Sequence, residues 1–327
     1  MEKLVEITKK VSLKKPVLIA AWPGMGHVAI KAATYLKDKL QAQMMAKLSP
    51  EKFFYQTDVV INNSVIQLSA LPQGKFYYWE NKFGKHDLVI FISDLQPPPE
   101  KTEMYAQAIL DFAASLKVKM VFTFAAMLTS IDYTQAPKGW LAVTHQKLIT
   151  EFQKIDVRPM ESGHVGGLNG LFLAMAKKEN RAGACLLGEI PFYAGQIENP
   201  RSSLVVLNAL AKFLDIQLDF SELTLAAKMM EEENRKLIEH IKDPSSPEDT
   251  EKPITSEDIE KIRNVLATHN QIPNSAKRQI EDLFSLAKED ISSAIELKRK
   301  LDEWNAYKDY EDRFLELFKR IEGERDN

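Results

Sequence analysis

The sequence predicts an α/β layered fold with a helical C-terminal extension, and three observations carry that prediction. Short continuous apolar runs recur at residues 17–21, 88–92, 118–124 and 182–187, the pattern of strands buried on both faces. Glycine or proline corners, then amphipathic helical segments, follow three of these runs, and strands alternating with helices form layered α/β domains. From about Glu222 the composition turns to charged, helix-periodic sequence.

Val17–Ala21 meets Pro23-Gly24-Met25-Gly26 and then Val28, Ala32, Tyr35, Leu36 and Leu40 at helical spacing, giving strand, glycine turn and helix. Residues 44–48 are the next strand candidate. Residues 58–69 and 75–80 alternate apolar and polar side chains, which predicts an antiparallel meander beside the parallel core. Residues 88–92, the prolines at 97, 98 and 99, and a helical pattern over 105–116 repeat the first arrangement, and 118–124 is a further strand. After Gly170 a short helix runs to about Lys178, followed by a strand at 182–187 and a helix from about Pro200 to Leu214.

The expected domains are an α/β domain over 1–242, a linker over 243–254 containing Pro244, Ser245, Ser246 and Pro247, and a helical hairpin or coiled-coil-like extension over 255–327. Thr255-Ser256-Glu257-Asp258 has capping-box spacing and restarts helix before Ile259, Ile262, Val265 and Leu266; Pro273 interrupts it. Ile280, Phe284, Ala287, Ile291 and Ala294 then form one apolar stripe, which Lys298 breaks before Leu301. Tyr307, Tyr310, Phe314, Leu317 and Ile321 form another. Two readings stand side by side: a helix face packed on its own domain, or a seam between subunits.

A chain of 327 residues accommodates two domains at roughly 150 residues each. The formal charge of −3 and pI of about 6.1 supply no net basic field, so neither nucleic acid nor membrane is an expected partner. Cys185, the only cysteine, excludes an intrachain disulfide and sits in an apolar run as a small buried hydrophobe. Neither a signal peptide nor an apolar run near the ~18 residues of a membrane span is present, so a cytoplasmic location is expected.

Catalytic signatures are incomplete. Gly24-x-Gly26-x-x-Ala29 after a strand fits a relaxed dinucleotide fingerprint, but the acid expected near the next strand is missing, which favours a tight turn without cofactor. Gly163, Gly166, Gly167 and Gly170 open a helix, where free amides can hold an anion or carboxylate; close helix-to-sheet packing is the competing and preferred explanation. His164, inside that loop, is the best general acid–base candidate because its unperturbed pKa lies near neutrality, though a loop histidine needs no such role. Glu189, placed just past a strand end, either faces a ligand or caps a loop. Histidines at 27, 86, 145, 164, 240 and 269 show no paired metal spacing, and Gly-x-Ser-x-Gly is absent, so neither metal nor cofactor is expected.

Pro23-Gly24-Met25-Gly26, Leu71-Pro72, Gln96-Pro97 with Tyr105, Gly163 to Leu171, and Leu187-Gly188-Glu189 with Pro191 and Tyr193 occur in order. On these residues the chain resembles, over about 10–240, the proteasome assembly chaperone family, in its archaeal and bacterial branch related to the second eukaryotic chaperone. The resemblance implies a three-layer α/β/α sandwich with a mixed sheet, phosphorylase/hydrolase-like, and homo-oligomers, some of which help assemble proteasome α-subunits. It supplies no catalytic residues. His27 stands where the family's turn commonly has a small or amide residue, and Ala29 where glycine is frequent. Some family chaperones dock through a C-terminal hydrophobic-tyrosine-any tripeptide; Gly323-Glu324-Arg325-Asp326-Asn327 does not match it, so contacts are expected from the helices beyond residue 255.

Residues and resemblance together predict a non-enzymatic, homo-oligomeric binding or assembly protein. Its expected partners are itself and proteasome subunits or another protein client. The alternative is a small-molecule enzyme or a nucleotide- or carboxylate-binding protein, ligase- or phosphorylase-like. Its site would lie where the Gly24, Gly163–Gly170 and Glu189 loops converge.

Overall fold

The computed structural model describes residues 4–131, 135–242, 274–290, 293–303, 306–307 and 310–317. The expected linker, the capping box at 255–258, the apolar residues at 259–266, Pro273 and the terminal pentapeptide lie outside them. The chain divides into two compact units, one of Met1–Met127, Ala136–Ile190 and Gln196–Glu232, the other of Leu128–Gln135, Pro191–Gly195 and Glu233–Asn327.

The first unit is built on β2 (Val17–Ala21), every residue of which is buried. It pairs in parallel with β7 (Leu88–Ser93) on one side and β8 (Met120–Thr129) on the other, so these apolar runs form the sheet's centre. Antiparallel strands extend it outward: β6 (Gly74–Trp79) pairs with β7, β3 (Gln43–Leu48) with β6, and β1 (Val5–Ile7) with β3. Beyond β8 lie β11 (Ala182–Pro191), β9 (Gly139–Val143) antiparallel to it, and β10 (Arg158–Pro159) parallel to β9. The result is a nine-stranded mixed sheet.

Helices cover both faces, giving the three α/β/α layers. On one side α1 (Val28–Lys39) packs on α5 (Pro200–Leu214), whose first turn is capped by the Asn199 side-chain Oδ1 accepting from Ser202 N at 3.0 Å, with Pro200 at the first helical position. The short α3 (Lys147–Phe152) lies near α5 through Phe152 stacked on Phe213 at 4.2 Å. On the other side α2 (Thr102–Ser115) packs on α4 (Gly167–Lys178). The core beneath them is aromatic: Trp22 lies between Phe91 and Phe172, and Phe76 between Phe91 and Phe112. Helix α6 (Ser221–Lys242) follows.

The segment expected as a meander beside the core needs correcting. Residues 75–80 do enter the sheet through β6, but β4 (Val59–Asn62) and β5 (Val65–Leu68) pair only with each other, as a separate ribbon. Asn63 and Ser64 both take left-handed φ, 49° and 64°, the tight hairpin turn whose twist matches its strands. Register places Val59 opposite Leu68 and Ile61 opposite Ile66, so these four share one face. That face is 51, 73, 67 and 69% exposed at the four residues in that order. The opposite face carries Val60, Asn62, Val65 and Gln67. Alternation identified the strands correctly; it could not say that the apolar side has no cover among the described residues.

In the second unit, α7 (Asn274–Glu289) and α8 (Ser293–Glu303) pack together. Ile280, Phe284 and Ala287 join Ala294, Leu297, Leu301, Ala306, Phe314 and Leu317 in one buried cluster. Both stripes therefore meet within one chain. Their exposed sides carry polar ties: Arg313 donates to both carboxylate oxygens of Glu281 at 2.6 Å, and its guanidinium lies 4.2 Å from the Phe284 ring centroid. Ile291 and Ile321 fall outside the described residues.

Candidate functional site

Two of the three glycine corners meet at one cavity, of about 210 Å³. Gly24, Met25 and Ala29 come from the turn after β2 and from α1, and Ala125 and Ala126 from β8. His164, Val165, Gly166, Gly167 and Asn169 come from the loop and first turn of α4. This is the carboxyl end of parallel neighbours β2 and β8, where α/β sheets commonly bind ligands. Gln96 ties the corners together: its Nε2 donates to Pro23 O at 2.8 Å, and its Oε1 accepts from Leu168 N at 3.0 Å.

Local chemistry explains most of this loop. Gly167 has φ +67°, and a Cβ there would lie 2.8 Å from Gln96 Oε1. Gly170 has no room at all, since its Cβ would come 2.1 Å from Val165 O. Around the first corner a short helical turn, Met25–His27, precedes α1, and Gly26 O accepts from Asn199 N at 2.8 Å. Beside it Glu198 bonds Lys31, and that hydrogen bond holds the Glu198 carboxyl below the usual range, with the nearby His27 adding to the effect.

Glu189 is positioned differently from the sequence expectation. Strand β11 does not stop at residue 187; it continues to Pro191 and carries Glu189 inside the sheet, 4% exposed. Gly188 permits this, because its backbone lies so close to α5 that a Cβ would meet Ser202 O at 2.7 Å. Glu189 Oε2 accepts from Lys138 N and Oε1 from Trp140 Nε1, both at 2.9 Å. Both oxygens thus hold the β9 end in place, and Glu189 is not among the residues lining the cavity that contains His164. The structure brings together Gly24, Gly166, Gly167 and His164, and leaves Glu189 apart.

Sequence reasoning missed Asn169. Its side chain is 4% exposed, and no donor reaches its Oδ1 among the described residues. Its backbone carbonyl accepts from Thr123 Oγ1 at 2.7 Å, which anchors the first turn of α4 to β8. The available signal was an amide residue two positions after Gly167, in the first helical turn.

A larger, open groove of about 690 Å³ runs along α4 from Gln96 and Pro97 to Lys177, with Cys185 in its floor. Burial pushes the Cys185 thiol up to about 12, so at pH 8 it stays protonated and is a poor nucleophile. Ellman's reagent is expected to leave the native protein unlabelled over minutes at pH 8 and to titrate one thiol per chain in guanidinium; prompt native labelling would contradict the buried placement.

Among the described residues, no group of three His, Cys, Asp or Glu could hold a metal ion, and no helix is long and apolar enough to cross a membrane.

Comparison with known proteins agrees with this architecture. The chain is 24% identical over 246 residues to the uncharacterized protein MJ1210 of Methanocaldococcus jannaschii, covering 72% of this chain and 88% of that one. The structure of Pyrococcus furiosus PbaB, an archaeal proteasome activator, superposes with a TM-score of 0.62 at 29% identity, covering 71% of this chain and 97% of PbaB. P. furiosus PbaA, an archaeal homolog of proteasome-assembly chaperone, has a TM-score of 0.55 at 21% identity, covering 74% and 100%. The PAC2 family profile matches residues 18–238, the span holding the mixed sheet apart from its edge strand β1, the glycine corners and α5. By that match, across more than half its length, the chain belongs to the PAC2 family.

Proposed function

We propose that the protein is a non-enzymatic, homo-oligomeric assembly factor of the cytoplasm, acting on proteasome subunits or another protein client. The single observation that carries the reading is the ribbon β4–β5. An isolated two-stranded hairpin is marginal in water, yet this one presents Val59, Ile61, Ile66 and Leu68 together on an exposed face. Covering such half-exposed side chains contributes about 1 kcal/mol each. The face carries no charge, so two copies can stack on each other about a two-fold axis without repulsion. The name of PbaB, at 29% identity, supports a proteasome-related client.

Enzymatic chemistry has less support, because His164 and Glu189, the acid–base candidates, do not share a site. Light scattering at micromolar concentration tests the proposal. The native chain is expected to be oligomeric, and the double variant Ile61→Glu/Ile66→Glu to run as a smaller species with unchanged circular dichroism. A monomeric native chain, or an unaltered assembly in the variant, would overturn it.

A further inference from the structure

We infer that the surface formed by residues 9–15 and 80–86 docks an acidic protein segment that carries an apolar side chain. Two loops build it, one joining β1 to β2 and the other joining β6 to β7. They carry Lys9, Lys10, Lys14, Lys15, Lys82 and Lys85 against a single exposed acid, Glu80. Lysines are common at the ends of helices, where they meet the negative pole, but neither loop follows a helix. Lys9 has a local role, donating to Gln43 Oε1 at 2.9 Å and lying over the Tyr78 ring. Lys10, Lys15, Lys82 and Lys85 are exposed and have no polar side-chain partner among the described residues.

The two loops are braced against each other. The buried Asp87 carboxylate accepts from Lys14 N at 2.5 Å and from Asn81 N at 2.8 Å, so backbone amides of both loops meet its charge. Lys14 Nζ donates to Gly84 O at 3.2 Å, and Asn81 Oδ1 accepts from Gly84 N at 2.8 Å. This braced turn holds Phe83 fully exposed between Lys82 and Lys85. A single apolar side chain on a surface is ordinary; one fixed among unpaired lysines has the make-up of an interface anchor with a charged rim. Carboxylates complement that rim, and an apolar side chain covers the ring. Nucleic acid fits less well, because these loops hold no arginine and only one aromatic on which a base could stack. An anionic bilayer fits less well too, because one residue is a weak anchor and the chain's net charge of −3 opposes it. The ribbon β4–β5 precedes the start of β6 at Gly74, whereas the 80–86 loop follows its end at Trp79. The two surfaces therefore lie at opposite ends of that strand, and this inference is independent of the oligomeric reading.

Fluorescence anisotropy of the full-length protein with a labelled glutamate-rich peptide containing one leucine tests it. The peptide is expected to bind at low salt and to weaken about tenfold between ~50 and ~500 mM salt, as ion pairs are screened. The same peptide with serine in place of leucine is expected to bind about tenfold more weakly. Lys82→Glu/Lys85→Glu is expected to lose binding. Phe83→Ala is expected to bind the leucine peptide no better than the native protein binds the serine peptide. Both variants should keep the native melting temperature and oligomeric state, since the three side chains are exposed. The inference is overturned if the leucine peptide does not bind at low salt, if the native protein binds both peptides equally, or if either variant binds as the native chain does. Tighter binding of oligothymidylate or of phosphatidylserine vesicles than of the leucine peptide would also overturn it, in favour of a nucleic acid or a membrane.

Discussion

Gly170→Ala is expected to destabilise the protein by about 3 kcal/mol or more, whereas Gly166→Ala, four residues earlier, is expected to change stability by less than about 0.5 kcal/mol. Gly166 is the extended N-cap of α4 and Gly170 lies within the helix, but the larger difference between the two sites is space. Alanine in a helix gains up to ~1 kcal/mol over glycine, which would favour the substitution at 170. The clash outweighs that gain: the new Cβ would sit 2.1 Å from Val165 O and 2.9 Å from Val165 C, both rigid backbone. The 163–166 loop would have to move by roughly an ångström, taking the first turn of α4 with it. At Gly166 the same methyl meets nothing. Urea unfolding followed by circular dichroism checks the pair; equal midpoints would refute the packing assigned to this loop.

Phe284→Ala is expected to cost about 4 kcal/mol and to unfold the second unit while the first keeps its own thermal transition. Phe284 is fully buried at the centre of the cluster formed by α7, α8 and residues 310–317. It also supports Arg313, which sits over its ring. So small a core has little stability to spare. Calorimetry should show two transitions in the native protein and loss of one in the variant; a single transition that shifts as a whole would mean the units unfold together. Arg313→Ala should cost far less, since its bridge to Glu281 is exposed. The Arg313 hydrogen bond holds the Glu281 carboxyl below its usual value. That contribution is therefore present at neutral pH and is lost as pH falls through the depressed value.

What could be read from the sequence followed the strength of local signals. Val17–Ala21 and residues 88–92 are uninterrupted apolar runs because their strands are buried on both faces, and that burial is what the eye detects. Strand β9 and helix α3 escaped notice. β9 alternates between buried and half-buried, and its position depends on Glu189 and on pairing with β11, neither visible locally. Helix α3, six residues long, is too short to show a period. Glu189 was placed beyond its strand because Gly188 and Pro191 resemble turn signals; the close approach of Ser202 explains the glycine instead. At the cavity, the glycines were visible in sequence but their causes were not. Only coordinates separate Gly167, required by its φ, from Gly166, which the fold does not require.

The borders of the large sheet carry a consequence for solubility. One edge is the three-residue β1, the other the two-residue β10 ending in Pro159, which has no N–H to offer. Lateral growth by a foreign strand, the route to fibrils, finds almost no template at either margin. A chain that presents an exposed apolar hairpin benefits from having its largest hydrogen-bonding surface closed off.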